Sequence, residues 1–190
     1  KNTIKLNWGS IGAVTCLNFK PTDNFYISAD AYFTHFDSKY RQNAEETYDD
    51  SYAYSYKNDI NSIEDYGASL RASLSPSSNV KIEAGTEFIH HIYKPEKLEI
   101  TGSNGFGLAT PLGSAAEISG NELSVWENNT FAPFEWLQLN AGVRFTQYSS
   151  SGKSHKRLEP RANIRVSLTD YLSIKAGYAR TNQYVQQLCN

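Results

Sequence analysis

Hydrophobic and polar residues alternate one by one along most of this chain, which is typical of strands with one apolar and one polar face. In the second such stretch, Phe25, Ile27 and Phe33 share one face, while Ser28 and Asp30 share the other. The alternation predicts about eight strands, at residues 10–20, 25–37, 63–75, 80–92, 121–131, 136–148, 158–168 and 172–182. Each is close to the roughly 9 to 11 residues that a tilted strand needs to cross a bilayer.

The connections between these strands alternate between tight polar turns and long polar segments. Tight turns are expected at 21–24, 76–79, 132–135 and 169–170, and long loops at 38–62, 93–119 and 149–157. Outer-membrane β-barrels are connected in this way, because their short turns face the periplasm and their longer loops face outside. We therefore predict an all-β fold, an antiparallel transmembrane β-barrel in a bacterial outer membrane.

Composition favours a barrel with a wet interior. The mean hydropathy is -0.54, and only 39% of residues are hydrophobic, which is low for a chain that fills a dry core. The 13 tyrosines suit both strands and membrane interfaces. A net charge of -2 lacks the basic footprint of nucleic-acid binders, so we expect no nucleic acid partner. The alternative is a soluble antiparallel sheet or sandwich, in which the apolar face would line a core.

Charged residues concentrate on the predicted polar face. An Arg or Glu is costly in a dry core but is tolerated in a water-filled barrel interior. The predicted lumen-facing charge network consists of Arg71, Lys81, Glu83, Glu87, Arg144, Glu159, Arg161, Arg165 and Lys175. Opposite charges on neighbouring strands can pair, and Arg can dock on carboxylates of a plug. We interpret the network as structural, with direct substrate contact as the alternative.

The predicted external loops carry the candidate binding chemistry. Tyr52, Tyr54 and Tyr56 lie among acidic residues in the first loop, and we predict that they contact substrate by stacking on sugar rings or by holding cations. The alternative is a solvated acidic loop. Basic residues 153–157 in the third loop either meet lipopolysaccharide phosphates or are solvated.

The sequence offers little catalytic or metal chemistry. His35 and Asp37 share a face at the predicted outer rim, and with the acidic residues 49–50 they would be similar to the arrangement of an omptin-like protease. That match rests on residue types that are common in polar loops. We therefore expect no enzyme activity, no cofactor and no metal site.

The last third of the chain carries an ordered set of short motifs. They read NAGVRF at 140–145, LEPRANIR at 158–165, LSIKAGYAR at 172–180 and NQY at 182–184. Together they resemble the barrel of TonB-dependent outer-membrane receptors, particularly those of Bacteroidetes-type bacteria. The resemblance implies a roughly 22-stranded barrel filled by an N-terminal plug, of which this chain would be the C-terminal part of the wall.

The resemblance also implies a function and a set of partners. Such a receptor imports a nutrient, for example a glycan, a peptide or a metal chelate, and an inner-membrane TonB complex supplies the energy. The implied partners are outer-membrane lipid and lipopolysaccharide, the remainder of the receptor with its plug, the TonB complex and a surface lipoprotein. Because the sequence contains no Met and no signal-peptide pattern, we expect a section of a longer protein. The alternative is a self-contained eight-stranded outer-membrane barrel with a structural or adhesive role.

Overall fold

The protein is built from β-strands. The computed structural model describes residues 2–48, 51–94, 99–103 and 116–182. Its strands are β1 (Asn2–Thr22), β2 (Phe25–Tyr48), β3 (Ser51–Ser77), β4 (Val80–Lys94), β5 (Glu99–Ser103), β6 (Ile118–Phe134), β7 (Leu137–Ser150), β8 (Lys153–Thr169) and β9 (Leu172–Ala179). In these ranges we find no helix that is both long and apolar enough to cross a membrane. The all-β prediction is confirmed.

Eight of these strands form one antiparallel meander. They are ordered β1-β2-β3-β4-β6-β7-β8-β9, and the short β5 pairs with β3 outside this order. Neighbours in the sheet are therefore neighbours in the sequence, apart from the insertion of β5 between β4 and β6. Within the described residues β1 and β9 end the order, so these strands do not close a barrel by pairing with each other.

The predictions of two long loops are wrong, because the structure has β-strands over most of these ranges. In place of a loop at 38–62, β2 extends to Tyr48 and β3 begins at Ser51. The added stretches mix tyrosines with Asn, Asp, Glu and Lys, which are depleted in strands, so the pairing of β2 with β3 extends the ladder against local propensity. In place of a loop at 149–157, a two-residue turn joins β7 to β8. Ser151 has φ 50 and Gly152 has φ 77, and two positive φ values fit a type I′ hairpin.

The other strand bounds also differ from the predicted ones. Strand β1 begins at Asn2 and not at residue 10. The last strand ends at Ala179 and not at residue 182. Its departure from the ladder has a visible cause, since the backbone N and the side-chain Nδ2 of Asn182 both donate to Glu159 Oε1, at 3.1 and 3.0 Å.

The chain divides into two compact units. The first contains residues 1–13, 33–66 and 91–119, which include the ends of β2, β3 and β4 next to the longer connections. The second contains residues 14–32, 67–90 and 120–190, which include the tight turns and the whole of β7, β8 and β9.

The strands of the second unit have two chemically different faces. One face, here called the polar face, carries Asp30, Ser69, Glu87 and Arg144, which form side-chain hydrogen bonds. Large apolar side chains on the opposite face are exposed, namely Leu70, Phe88, Val125, Phe145, Leu158, Ile164 and Ile174. Among the described residues only one hydrophobic side chain, Tyr148, is buried. The soluble sandwich therefore lacks the packed core that it requires.

Candidate functional site

Arg144 is the centre of a hydrogen-bonded network on the polar face. Its Nη2 lies 3.1 Å from Glu87 Oε2, 2.8 Å from Ser124 Oγ and 3.7 Å from Glu122 Oε1. Tyr32 adds a hydrogen bond, because its hydroxyl donates to Glu87 Oε1 at 3.1 Å. Ser124 is buried, and the charged side chains are only 19% to 31% exposed. The cation thus lies between two carboxylates that are partly shielded from water.

Three more members of the predicted charge network have partners nearby. Lys81 Nζ lies 2.9 Å from Glu83 Oε1. The Arg71 guanidinium lies 5.9 Å from the Trp126 ring centroid, which is within cation–π range. Trp126 in turn covers Gly85, since a Cβ there would lie 2.7 Å from its Cζ2. On this side of the network, Lys81 and Glu83 neutralise each other, and Arg71 is held over an aromatic ring.

The remaining members of the network lie on β8 and β9 and are bonded differently. Glu159 is occupied by Asn182. The Nε of Arg161 is buried and has no hydrogen-bond partner among the described residues. Arg165 and Lys175 face each other directly in the ladder. The structure therefore brings these residues onto neighbouring strands, and in the part of the chain that it describes their cations have no carboxylate partner.

The predicted substrate tyrosines lie on β3 and not on a loop. Tyr54 pairs with Ser103 and Tyr56 with Thr101 across β3 and β5. Tyr56 is half-buried, whereas the side chains of Tyr52 and Tyr54 fall outside the described part of the structure. These positions extend the sheet beyond the length that a bilayer needs.

Sequence reasoning missed two residues close to these tyrosines. Lys57 Nζ lies 5.7 Å from the centroid of the Tyr40 ring, and the Tyr40 hydroxyl donates to Gln42 Oε1 at 3.1 Å. Beside Lys57, the Oδ1 of Asn58 is buried without a hydrogen-bond partner in the described residues. The alternation of β2 gives no signal for this cluster, because its large apolar positions change face between Phe33 and Phe36.

The residues considered for a protease-like pair belong to a charged cluster. His35 Nε2 lies 3.9 Å from Asp37 Oδ1, and His35 Nδ1 lies 3.6 Å from Glu64 Oε1. Lys94 Nζ donates to the same Glu64 oxygen at 2.9 Å. The bond from Lys94 and its positive charge hold the pKa of Glu64 below its usual value, and Glu64 raises the pKa of Lys94. Residues 49–50, the proposed acidic partners, lie outside the described residues.

The Glu64–Lys94 pair predicts a pH-dependent contribution to stability. Because the pKa of Glu64 is lowered in the folded state, the contribution is present above the unfolded-state pKa and is lost as pH falls through the folded-state value. The stabilising contribution is lost again in strong base, as the pH rises through the raised pKa of Lys94 and its ammonium loses the charge. We expect Glu64→Gln to lower the melting temperature at pH 7 and to have a diminishing effect as the pH falls through the lowered pKa of Glu64. The matched control is Asp23→Asn in the exposed Lys20–Asp23 pair, which should have little effect over this range of pH.

Three comparisons relate the chain to known proteins. A family model described as TonB dependent receptor-like, beta-barrel, matches residues 8–185. Comparison with curated protein sequences finds no significant match. Comparison with solved structures gives several matches at low sequence identity, which show the fold alone.

Two of these structures are receptors. The ferric-catecholate import receptor Fiu of E. coli K12 superposes with a TM-score of 0.66 at 13% identity, over 94% of this chain and 36% of Fiu. The ferric preacinetobactin receptor BauA of Acinetobacter baumannii gives 0.64 at 14% identity, over 90% of this chain and 30% of BauA. A Pseudomonas aeruginosa FadL homologue also matches, with 0.55 at 16% identity, over 92% of this chain and 50% of the homologue.

The chain spans about a third of the length of the two receptors. The match to the FadL homologue shows that the fold does not by itself distinguish a receptor from another barrel protein. The family model does distinguish them, because it covers nearly the whole chain, including the motifs of β7, β8 and β9. The chain belongs to the TonB-dependent receptor-like β-barrel family and is an outer-membrane protein.

Proposed function

We propose that this chain supplies wall, interior surface and external hairpins to a TonB-dependent receptor that imports a nutrient across the outer membrane. The observation that carries the proposal is the family match over residues 8–185. It is supported by an apolar exposed face that suits lipid and a polar, hydrogen-bonded face that suits a wet interior. The self-contained eight-stranded barrel is not favoured, because β1 and β9 end the strand order of the described residues without pairing.

The proposed receptor works with partners that this chain does not contain. Import requires a plug within the barrel and a TonB complex that acts on it. On the outside, we propose that lipopolysaccharide phosphates contact the exposed residues Lys153, His155, Lys156 and Arg157 beside the β7–β8 turn. A surface lipoprotein remains a further proposed partner.

We propose that substrate is contacted by the β2–β3 hairpin through Tyr52, Tyr54 and Tyr56. Tyr40 and Lys57 provide a ring and a cation on the opposite face of this hairpin, because Lys57 directly follows Tyr56 in β3. Rings stack on sugars, and a cation attracts anionic chelates or the carboxylates of peptides. The names of Fiu and BauA specify ferric chelates as their cargo, so a metal chelate is one of three substrate classes, with glycans and peptides, to test.

The test uses the intact receptor with Tyr52, Tyr54 and Tyr56 all changed to Ala. We expect binding of the transported nutrient to weaken by about tenfold or more, because each buried aromatic contact contributes roughly 0.5–1.5 kcal/mol. Affinity is measured on purified receptor with ferric chelates, oligosaccharides and peptides. The matched control is Tyr171→Ala, in the tight turn between β8 and β9, where the side chain is 99% exposed.

The possible results test the substrate-contacting tyrosines and the transport function separately. Unchanged affinity in a triple variant that reaches the outer membrane normally would show that these tyrosines do not contact substrate. The transport function itself would be contradicted if deletion of TonB left uptake through the unmodified receptor unchanged. A selective loss of one substrate class identifies the cargo.

A further inference from the structure

Large apolar side chains change face in two neighbouring strands of the first unit, and they do so at the same level. In β1, Trp8 and Ile11 are both exposed, yet they lie on opposite faces, because successive residues of a strand alternate. In β2, the change falls between Phe33 and Phe36. The two changes lie side by side, since a Cβ on Gly12 would lie 3.4 Å from the backbone oxygen of Phe33. Beyond this level, the apolar residues therefore occupy the face that β2 fills with polar residues below it.

Below the change of face, the apolar residues lie on the side of the sheet that suits lipid. There the Phe33 ring packs against Tyr66, with ring centroids 5.0 Å apart. Farther along the same face the residues are charged, because His35 Nδ1 lies 3.6 Å from Glu64 Oε1 and Lys94 donates to that oxygen at 2.9 Å. The outward face of an outer-membrane barrel is apolar within the bilayer. The charged cluster thus indicates that the strands have left the membrane at this level.

The apolar side chains beyond the change of face form a patch on the inner side of the sheet. Its members are neighbours, because Gln42 of β2 donates to Asn2 of β1 at 3.5 Å and both residues belong to the same alternation. This inner apolar patch consists of Ile4, Leu6 and Trp8 of β1 and of Phe36 and Tyr40 of β2. The three side chains from β1 are each more than half exposed. A further strand paired to the edge of β1 would cover its backbone groups but not this face.

A cation marks the end of the inner apolar patch that is farthest from the membrane. Lys57 Nζ lies 5.7 Å from the centroid of the Tyr40 ring, and within the described residues it forms no ion pair and no hydrogen bond. Asp59, the next acid on the same face of β3, accepts a hydrogen bond from Asn61 Nδ2 at 2.9 Å. In the described part of the chain it forms no ion pair with Lys57. The patch is therefore apolar along its length and positive at one end.

We propose that the inner apolar patch binds an amphiphilic carboxylate, that is, a ligand with an aliphatic chain and one anionic head group. Ile4, Leu6 and Trp8 stand at alternate positions of one strand and form a straight ridge of about 13 Å, against which an extended chain can lie. Covering this ridge removes apolar surface from water, and Lys57 supplies the charge that complements a carboxylate. The inference rests on the proposed function and deepens it, because it adds a class of cargo beside glycans, peptides and chelates.

Tryptophan fluorescence of the intact receptor tests the site, because Trp8 is 69% exposed and the ligand would cover it. The receptor is purified in lipid nanodiscs and titrated with octanoate, a soluble amphiphilic carboxylate. We expect a saturable shift of the emission to shorter wavelength, and no shift in Trp8→Phe, which keeps an apolar ring. Octylammonium has the same chain and the opposite charge, so it should bind about tenfold more weakly. An equal affinity for the two ions, or a shift that persists in Trp8→Phe, would overturn the proposal.

Two variants separate the apolar contact from the charge. Leu6→Ser removes the middle of the ridge and should weaken the binding of octanoate and of octanol alike, by about tenfold. Lys57→Gln should weaken octanoate by about fivefold and leave octanol unchanged. The matched control is Lys5→Gln, which removes an exposed cation from the other face of β1 and should change neither affinity. Equal octanoate affinities of Lys57→Gln and Lys5→Gln would contradict the assigned head-group contact.

Acrylamide quenching of the ligand-free receptor distinguishes an open patch from a covered one. We expect the unmodified receptor to be quenched more than Trp8→Phe, because Trp8 is accessible, and octanoate to abolish the difference. Equal quenching would show that further polypeptide covers Trp8, and a shift produced by an apolar peptide but not by octanoate would assign the patch to peptides. Either result overturns the proposal. These measurements do not involve TonB or uptake, so their failure is distinct from failure of the proposed function.

Discussion

Replacing Gly67 with alanine is expected to destabilise the receptor more than any other single methyl group added to the described glycines of β1 to β3. A Cβ at Gly67 would lie within 2.5 Å of carbon atoms of the Tyr32 ring, which covers this glycine from the neighbouring strand. The ring cannot move aside freely, because its hydroxyl donates to Glu87. Overpacking of this kind costs about 1–3 kcal/mol, and displacement of the ring also removes a hydrogen bond from the Arg144 network.

The measurement is the melting temperature and the yield of folded Gly67→Ala receptor in the outer membrane. The matched control is Gly9→Ala in β1, where the new Cβ would meet only Asp37 Oδ1, at 3.8 Å. The double variant Tyr32→Ala with Gly67→Ala removes the ring as well, so it should be more stable than the sum of the two single effects indicates. Equal stability of the Gly67 and Gly9 variants would contradict the steric explanation.

This contact between an aromatic ring and a glycine recurs along the polar face. Trp126 covers Gly85, and Tyr148 covers Gly120, where a Cβ would lie 2.5 Å from the Tyr148 hydroxyl oxygen. Each ring lies on one strand and its glycine on the next, so every pair links two neighbouring strands. The rings shield backbone that glycine leaves bare, and the glycines provide the space that the rings need. These pairs explain why glycine is useful here despite its low β-propensity.

The alternation of the sequence predicted the strands and the polarity of their faces, because both depend on residues that are adjacent along one strand. It did not predict the ring and glycine pairs. The residues next to Gly67 and Gly85 in the sequence do not indicate that an aromatic ring covers them. Each ring lies on a neighbouring strand, and the register between the two strands places it over the glycine. Register is a property of two segments that lie far apart in the sequence.

The loop predictions failed for a different physical reason. The thickness of a bilayer predicts shorter strands, yet the ladder of β2 and β3 continues through Asn, Asp, Glu and Lys, because cross-strand pairing outweighs their low strand propensity. The tight turn at Ser151–Gly152 was readable, since a Ser-Gly dipeptide between alternating segments is a hairpin signal. The basic residues that follow it are also typical of an external loop, so they favour the wrong interpretation.

The sequence also does not predict which charges of the network pair with each other. Arg144 lies directly opposite Glu159 in the ladder of β7 and β8, and simple cross-strand reasoning would join them. The structure instead directs Arg144 the other way, to Glu87 and Glu122. Glu159 is left to accept hydrogen bonds from Asn182. Which charge meets which depends on side-chain direction across four strands, and no pattern along a single strand encodes it.

Arg144→Met is expected to be the most destabilising change of a single charge in the network. It would leave Glu87 and Glu122 next to Ser124 without a cation, although both carboxylates are partly shielded from water. Removing one partner of a buried ion pair costs about 3–5 kcal/mol, and the partial exposure of this site reduces our expectation to roughly 1–3 kcal/mol. The stability of Arg144→Lys should lie between those of the unmodified receptor and Arg144→Met, because an ammonium keeps the charge but loses the planar fork of the guanidinium.

The stability of these variants is compared by thermal and denaturant unfolding of the intact receptor. The matched control is Arg157→Met on the same strand pair. Among the described residues the exposed Arg157 guanidinium donates only to the backbone oxygen of Lys156, and a surface change of this kind stays within about 0.5 kcal/mol. Adding Glu87→Gln to Arg144→Met should recover part of the loss, because it removes one of the two carboxylates that Arg144 contacts. If Arg144→Met and Arg157→Met were equally stable, the network would be a solvated surface. A large difference, recovered in the double variant, would show that Arg144 holds β4, β6 and β7 together through its charge.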